Sequence, residues 1–394
     1  MIVQDVLCNI KKKMSVAGAI IVEGHIQGLS NVRSLGELGI PVYVVDCTRC
    51  IAQYSKYCKK SFLCPPFQSD RFVPFLIDLA RNEKINGWLI LASNDHVIEQ
   101  LSKHKMELQP YYSYLVPDYD VLLRIIDKLE LTRIAQKAGV HVPLSCDKEN
   151  IDQARYYHYP VLVKGCKGLS FYKTHHKKVI RADDYHGLLQ ISQELGSESN
   201  YFVQEEIKNT QGTVVSFTCF AENGIIKAYW MGIKLREHPF RYGTATLSQS
   251  VLYDGLMAEA VPLMKDLCYS GICEIEFMRD DRDGFYKLIE INPRTWLWVG
   301  LAKACGVDYA KMVYNYVNNR TQDFPNDYVV GLKWVNRLTD FPYSLMAIIK
   351  RKLKLRSYFK SLKGKKVYAA WDWHDMLPGL LLPFFSFYIL KHRR

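Results

Sequence analysis

The residues of this chain with the clearest chemical purpose are carboxylates on a hairpin. The segment Cys273-Glu-Ile-Glu276-Phe-Met leads to a turn at Asp280 to Gly284 and returns as Tyr286-Lys-Leu-Ile-Glu290-Ile-Asn292-Pro-Arg294. Alternate side chains of a strand share a face, so Glu274 sits with Glu276, and Leu288 with Glu290 and Asn292. If the hairpin pairs symmetrically about Asp283, Glu276 stands directly opposite Glu290. Like charges across a ladder repel, and a divalent cation turns that cost into the purpose of the arrangement. Glu276, Glu290 and the amide oxygen of Asn292, with the remaining positions left to water and phosphate oxygens, suit Mg²⁺ bound to a nucleotide. Ile275, Phe277, Ile289 and Ile291 bury the opposite side of both strands, which argues against a freely solvated face.

The elements that must position this hairpin fall into two patterns. Near the start, Ala17 to Val22 and Ile40 to Asp46 read as buried parallel strands, with a helical spacing of Leu29, Val32, Leu35 and Leu38 between them. Trp88 to Leu91 is a third strand, and Ser93-Asn94-Asp95 caps a helix through Met106. This alternation predicts a Rossmann-like domain. The Gly-x-Gly-x-x-Gly fingerprint is missing from the first turn, which speaks against NAD. Further on, Val121 to Ala138 reads as one amphipathic helix closed by Gly139. Short strands follow at 161–164, 201–205, 214–221, 225–231, 272–278 and 286–292. Asn223-Gly224 and Asp283-Gly284 mark hairpin turns, so the middle of the chain is α+β with antiparallel sheets.

Glu-x-Phe followed by Ile-Glu-Ile-Asn-Pro-Arg resembles the metal-binding end of the ATP-grasp superfamily, and the resemblance runs over roughly residues 15 to 315. Within it the chain is most similar to carboxylate–amine ligases of the D-aspartate ligase type and to the carbamoyl-phosphate synthase type of ATP-grasp. Asp127-Lys128 resembles the start of the helix carrying the first nucleotide lysine, and Tyr159-Pro-Val-Leu-Val-Lys164 the strand carrying the second. Gln204-Glu205-Glu206-Ile207 resembles the hinge that holds adenine, and residues 234–246 the loop that opens towards substrate. The resemblance implies ATP and Mg²⁺, with room for two ions and with Mn²⁺ able to substitute. Lys128 and Lys164 would then act as point charges for phosphate oxygens. The backbone of Glu205 and Ile207, with the Gln204 side chain, would hold the base. Lys234, Arg236 and Arg294 are candidates to neutralise the γ-phosphoryl group and the reacting carboxyl; salt bridges to acids such as Glu237 are the competing use for Arg236. One departure is the segment after Lys164, where Phe171-Tyr-Lys-Thr-His-His-Lys-Lys178 replaces the small residues of a typical phosphate flap. His175 and His176 are read there as loop residues and not as metal ligands.

The implied activity is amide formation through an acyl phosphate, adding an amino acid to a bacterial envelope glycan or peptide precursor. The alternatives are a phosphotransferase or ligase with a non-amine acceptor, and a basic non-catalytic adaptor. No Ser/His/Asp set is evident.

The chain has 394 residues with 52 Lys+Arg against 40 Asp+Glu, a net charge of +12. That charge is uneven. From Tyr343 to Arg394 there are 12 Lys+Arg and 2 Asp+Glu, leaving only +2 for the rest, so nucleic acid is not the expected partner of the body. The 11 cysteines are odd in number and lie mostly within apolar runs, which fits reduced thiols better than a disulfide framework or a zinc site. Residues 1–13 lack a secretory pattern, and the apolar run 376–390 is too short to span a membrane comfortably. Leu345, Ile348, Ile349, Leu353, Phe359 and Leu362 recur near helical spacing among nine basic residues, and Trp371 and Trp373 follow. Residues 343–394 are thus expected to lie on an anionic membrane surface; a subdomain packed on the core and a homo-oligomer contact are the competing uses. The expectation is a cytoplasmic protein, peripheral on the inner face of the membrane. Its parts are a Rossmann-like pre-ATP-grasp domain at 1–120, an ATP-grasp domain at 121–325 and a basic C-terminal extension at 326–394.

Overall fold

The computed structural model describes residues 17–210, 213–239 and 243–392. The expectation for residues 1–13, and positions 240–242 of the 234–246 loop, lie outside the described residues. The chain divides into two compact units. One comprises residues 1–115, 308–323 and 370–394, the other residues 116–307 and 324–369.

The first unit is built on a parallel sheet of order β3-β2-β1-β4-β5. Its strands are β1 (Ala19–Val22), β2 (Val42–Asp46), β3 (Cys58–Leu63), β4 (Trp88–Ala92) and β5 (Tyr112–Ser113). All four β1 residues are buried, as a strand covered on both faces requires. The helix Ile26–Glu37 buries Leu29, Val32 and Leu35 as the helical spacing expects, whereas Leu38, the fourth residue of that spacing, is its exposed C-cap. This is the expected Rossmann-like arrangement. Two later segments complete the unit. The helix Tyr309–Val317 ties in through Tyr314, whose hydroxyl donates to the carbonyl of Ala17. Residues beyond Ala370 bring Asp375 to the buried Arg33: the guanidinium donates from Nε to Oδ2 at 2.9 Å and from Nη2 to the carbonyls of Ala370 and Asp375 at 2.8 Å. The Asp375 carboxylate also accepts from Ser55 Oγ at 2.7 Å and from the Lys56 N–H at 2.9 Å.

The second unit holds two sheets. The smaller is antiparallel, of order β6-β9-β7-β8, from β6 (Ser145–Asp147), β7 (Val161–Gly165), β8 (Val179–Ala182) and β9 (Tyr201–Glu205). The larger has seven strands in the order β14-β13-β10-β11-β12-β15-β16. These are β10 (Val214–Glu222), β11 (Ile225–His238), β12 (Thr244–Ser250), β13 (Gly271–Arg279), β14 (Tyr286–Asn292), β15 (Lys333–Val335) and β16 (Lys366–Tyr368). Its apolar face, including Phe217, Cys219, Ile275 and Phe277, packs under Leu256, Leu263 and Met264 of the helix Leu256–Asp266. The other face carries the polar residues of the hairpin.

Three expectations need correction. The helix expected over 121–138 is two helices, Tyr119–Ile126 and Lys128–Lys137. Asp127 separates them: its backbone is extended and its carboxylate accepts the N–H groups of Leu129 and Glu130, which starts a new helix at Lys128. Residues 168–175, read as a loop, form a helix, and His176 closes it in the left-handed conformation. Residues 326–394 are not a separate extension: 333–335 and 366–368 are strands of the large sheet, and 370–394 belong to the first unit. Among the described residues, no helix is long and apolar enough to cross a membrane.

Candidate active site

The hairpin β13–β14 pairs antiparallel with Glu276 opposite Glu290 and Glu274 opposite Asn292. On its other side β13 pairs with β10, which sets Ser216 beside Glu276 and Thr218 beside Glu274. Next across, Gly232 of β11 lies beside Ser216. Lys234, two residues on, therefore shares the face with Glu276. Ser216 is the small residue between them, and the long lysine stem reaches over it: Nζ lies 2.8 Å from Glu276 Oε1, with both side chains about 10% exposed. Gly232 is required there, because a Cβ would fall 2.3 Å from the rings of both Trp230 and Trp298.

Three lysines converge on this face, and each rests on an oxygen. Lys128, held at the helix start by its own N–H bond to the Cys166 carbonyl, places Nζ 2.7 Å from Glu290 Oε2. Lys164, at the end of β7, donates to Gln204 Oε1 at 2.6 Å. The Gln204 amide donates in turn to Ser145 Oγ. Burial, then the neighbouring Lys128 ammonium, pushes Lys164 down to about 8. Lys234 goes the other way: burial opposes its charge, but the Glu276 and Glu274 carboxylates outweigh it and hold the ammonium above its usual range. Lys128 holds the Glu290 carboxyl well below the usual carboxylate range.

Glu274 was not among the expected ligands. It is 3% exposed, accepts from Ser216 Oγ at 2.7 Å and from the Asn292 amide at 3.2 Å. Burial, then repulsion by Glu276, pushes its carboxyl up to about 7. An acid whose folded value is raised above its unfolded one stabilises the fold at low pH, and that contribution is lost as pH rises towards the folded value. Wild-type stability against the Glu274→Gln variant should therefore fall between about pH 4.5 and 7. Thermal melts should show Glu274→Gln gaining about 1–3 kcal/mol on wild type at pH 8 relative to pH 5.

Asn292 Oδ1 accepts from Arg294 Nη2 at 3.3 Å, and Arg294 Nη1 donates to the Thr295 carbonyl. Arg236 goes elsewhere. A bulge in β11 turns it towards Asp340, where Nε and Nη2 form two 2.8 Å bonds with the carboxylate, and it stacks over Tyr358. Its expected part in charge neutralisation is thus not supported by its position. Its partner is not Glu237 either: Asp340 is distant in sequence.

A second charged cluster packs against the segment expected to hold adenine. Arg282 donates to both oxygens of Asp280, to Glu205 Oε2 at 3.1 Å and to the Glu206 carbonyl. Lys287 adds a 2.8 Å contact to Asp280. The Glu205 side chain also accepts the His158 N–H at 2.7 Å, and the Glu205 N–H donates to the Leu144 carbonyl. The Glu205 side chain is consumed internally, so a bound base would meet this residue through its carbonyl, with the backbone of Ile207 next along. A charge run around a turn, Arg279-Asp-Asp-Arg-Asp283, was the visible signal for this cluster.

Among the described residues no group of three or more His, Cys, Asp or Glu side chains stands ready to hold a metal by itself. The donor chemistry nevertheless fits a phosphate-bound Mg²⁺: two facing carboxylates and a carboxamide, with lysines nearby for the phosphates.

Residues 243–319 match the ATP-binding domain of the carbamoyl-phosphate synthase L chain. A D-aspartate ligase of Enterococcus faecium is 22% identical over 262 residues, a stretch that takes in 61% of this chain and 62% of that protein. Among solved structures, an L-amino acid ligase from Bacillus licheniformis superposes with a TM-score of 0.58 at 13% identity, over 76% of this chain and 74% of that one. The biotin carboxylase domain of the Hydrogenobacter thermophilus 2-oxoglutarate carboxylase, in complex with MgADP and bicarbonate, gives a TM-score of 0.61 at 16% identity, over 80% and 73%. The matched segment lies across the carboxylate hairpin, and the chain shares the fold of these ATP-using enzymes, with the antiparallel sheets following a Rossmann-like parallel sheet in sequence.

Proposed function

We propose that this chain is an ATP-dependent carboxylate–amine ligase. The observation that carries the reading is the pair of facing carboxylates with Lys128 on one and Lys234 on the other, and Lys164 of the smaller sheet within the electrostatic reach of Lys128 and Glu290. A bound Mg²⁺ would neutralise phosphate oxygens, held by Glu276 and Glu290 with Asn292 beside them. Lys128 and Lys234, freed from those carboxylates, would then meet the phosphates: Lys128 with Lys164 along the chain of the nucleotide, Lys234 at its reacting end together with Arg294. The base would lie against the hinge at Glu205 and Ile207, with Gln204 steadying Lys164.

In the first step a substrate carboxylate oxygen bonds to the γ-phosphorus and the bond to ADP breaks. In the second an amine nitrogen adds to the acyl carbon, the carbon–oxygen bond breaks, phosphate leaves and the amine's proton passes to solvent. No protein nucleophile is needed, because the phosphate is already a leaving group; the side chains align and neutralise.

The likeness to a D-aspartate ligase supports an amino acid as one of the two substrates; the proposed partner is an envelope glycan or peptide precursor. The basic region from Tyr343 onward supports work at the inner face of the cytoplasmic membrane. The test is ADP and phosphate release with Mg²⁺ across amino acids paired with uronic-acid and peptide carboxylates. Phosphate release that requires both partners supports the reading. A phosphorylated acceptor formed without free phosphate would replace it with phosphotransfer, and failure to bind nucleotide at all would leave the adaptor.

A further inference from the structure

The helix Arg337–Ile349 is inside out. Its buried residues are the polar Asp340 and Ser344, and Asp340 is spent on Arg236 and on the Thr246 hydroxyl. The residues pointing outward are apolar: Phe341, Leu345 and Ile349 are 59%, 45% and 71% exposed. A spacing of four aligns them in one stripe. After a turn in which Arg351 takes a φ of 56°, the helix Leu355–Ser361 adds Leu355 and Phe359, again four apart and exposed. Single exposed apolar residues are ordinary, but exposed apolar residues at a spacing of four on two successive helices, the first with polar residues beneath, mark a contact surface.

The charge around the stripe selects what covers it. From Ser344 to Lys366 there are nine Lys or Arg and no Asp or Glu. A second copy would bring the same cations to a two-fold contact, where they repel. An anionic bilayer supplies negative charge without demanding a fixed geometry, and it accepts apolar side chains to a depth of about 5–10 Å.

We propose that the outer face of residues 337–366 docks on an anionic lipid surface, with Phe341, Leu345, Ile349, Leu355 and Phe359 entering the interface and the surrounding cations holding the headgroups. This rests on the ligase reading only for its biological sense and narrows the membrane contact to these two helices. Because the polar side of the same helix clasps Arg236 on β11, the docked face and the active-site sheet are parts of one packed unit.

The experiment is flotation of the full chain with vesicles of phosphatidylcholine and phosphatidylglycerol at 3:1, and with phosphatidylcholine alone. Wild type should float with the anionic vesicles, be released by high salt, and stay behind with the neutral ones. Phe341→Ser/Leu345→Ser/Ile349→Ser should lower binding at least tenfold. Lys350→Gln/Lys352→Gln/Lys354→Gln should lower it about a hundredfold, from roughly fivefold per basic residue near an anionic surface. All six positions are away from the proposed catalytic residues, so unchanged melting and nucleotide binding serve as the folding control. Equal binding to neutral vesicles, no loss in either variant, or a wild-type dimer abolished by the serine substitutions overturns the proposal. Vesicle binding without ADP release leaves it standing and removes the ligase reading; ADP release without vesicle binding does the reverse.

Discussion

Changing Glu276 and Glu290 together to glutamine is expected to lower ATP-dependent ADP release by at least about a thousandfold. Each glutamine keeps the size of its side chain and one acceptor oxygen but removes the negative charge that a phosphate-bound cation requires. The pair faces across β13 and β14, and no other carboxylate on the described face is free to substitute: Glu274 is buried, bonded to Ser216 and Asn292, and pushed up to about 7 by burial and by Glu276. A structural loss would confuse the result, because Lys234 is buried and Glu276 is its partner. Breaking one side of a buried pair costs about 3–5 kcal/mol, whereas replacing both members costs much less. The control is therefore Lys234→Met with Glu276→Gln. Its melting temperature should recover relative to Glu276→Gln alone while ADP release stays low. Recovery of activity along with stability would sink the proposed role of Glu276. Isothermal titration with Mg-ATP separates lost binding from lost turnover.

A comparable loss of stability, without any change at the active site, is expected for Asp375→Ala. It strips Arg33 of its carboxylate in a site where both are buried, and it removes the acceptor of Ser55 and Lys56. The cost should be about 3–5 kcal/mol, or a drop of roughly 10 °C in the melting of the first unit. Arg33→Met with Asp375→Leu should recover most of it. Equal melting of Asp375→Ala and wild type would show that the bond network contributes nothing. The same network makes deletion of residues 343–394 a poor probe of membrane binding: it would remove β16 from one unit and Asp375 from the other, so point substitutions are needed.

How much of this was legible in the sequence depends on how local the cause is. The pairing of Glu276 with Glu290 could be read because the strands and the Asp283-Gly284 turn both lie within the segment, but a bulge after Glu276 was not visible: it sets Leu288, expected beside Glu290 and Asn292, opposite Phe277 in the apolar core and leaves Ile289 only partly buried. The strands at 201–205 and 286–292 match the expectation to the residue for the same reason. The break at Asp127 was also local, but a continuous apolar pattern masked the cap. Arg236 is the opposite case. Its side chain could face substrate or a salt bridge, and the decision belongs to Asp340, more than a hundred residues later and brought near only by the pairing of β11, β12 and β15. The tail misled in a different way. Its basic character suggested a separate membrane-lying extension in preference to a subdomain packed on the core, whereas two three-residue strands and one buried aspartate, too short to stand out, make parts of it members of both units.

The split of the chain has a consequence in time. The unit that begins the sequence contains residues 308–323 and 370–394, while the other unit is complete once residue 369 has been made. On the ribosome the usual order is therefore reversed. The central unit can close first, and the parallel sheet at the start must wait with its Arg33 unpaired until Asp375 emerges. A chaperone bound to nascent chains should hold the N-terminal segment longest, and release it only after Asp375 has left the tunnel.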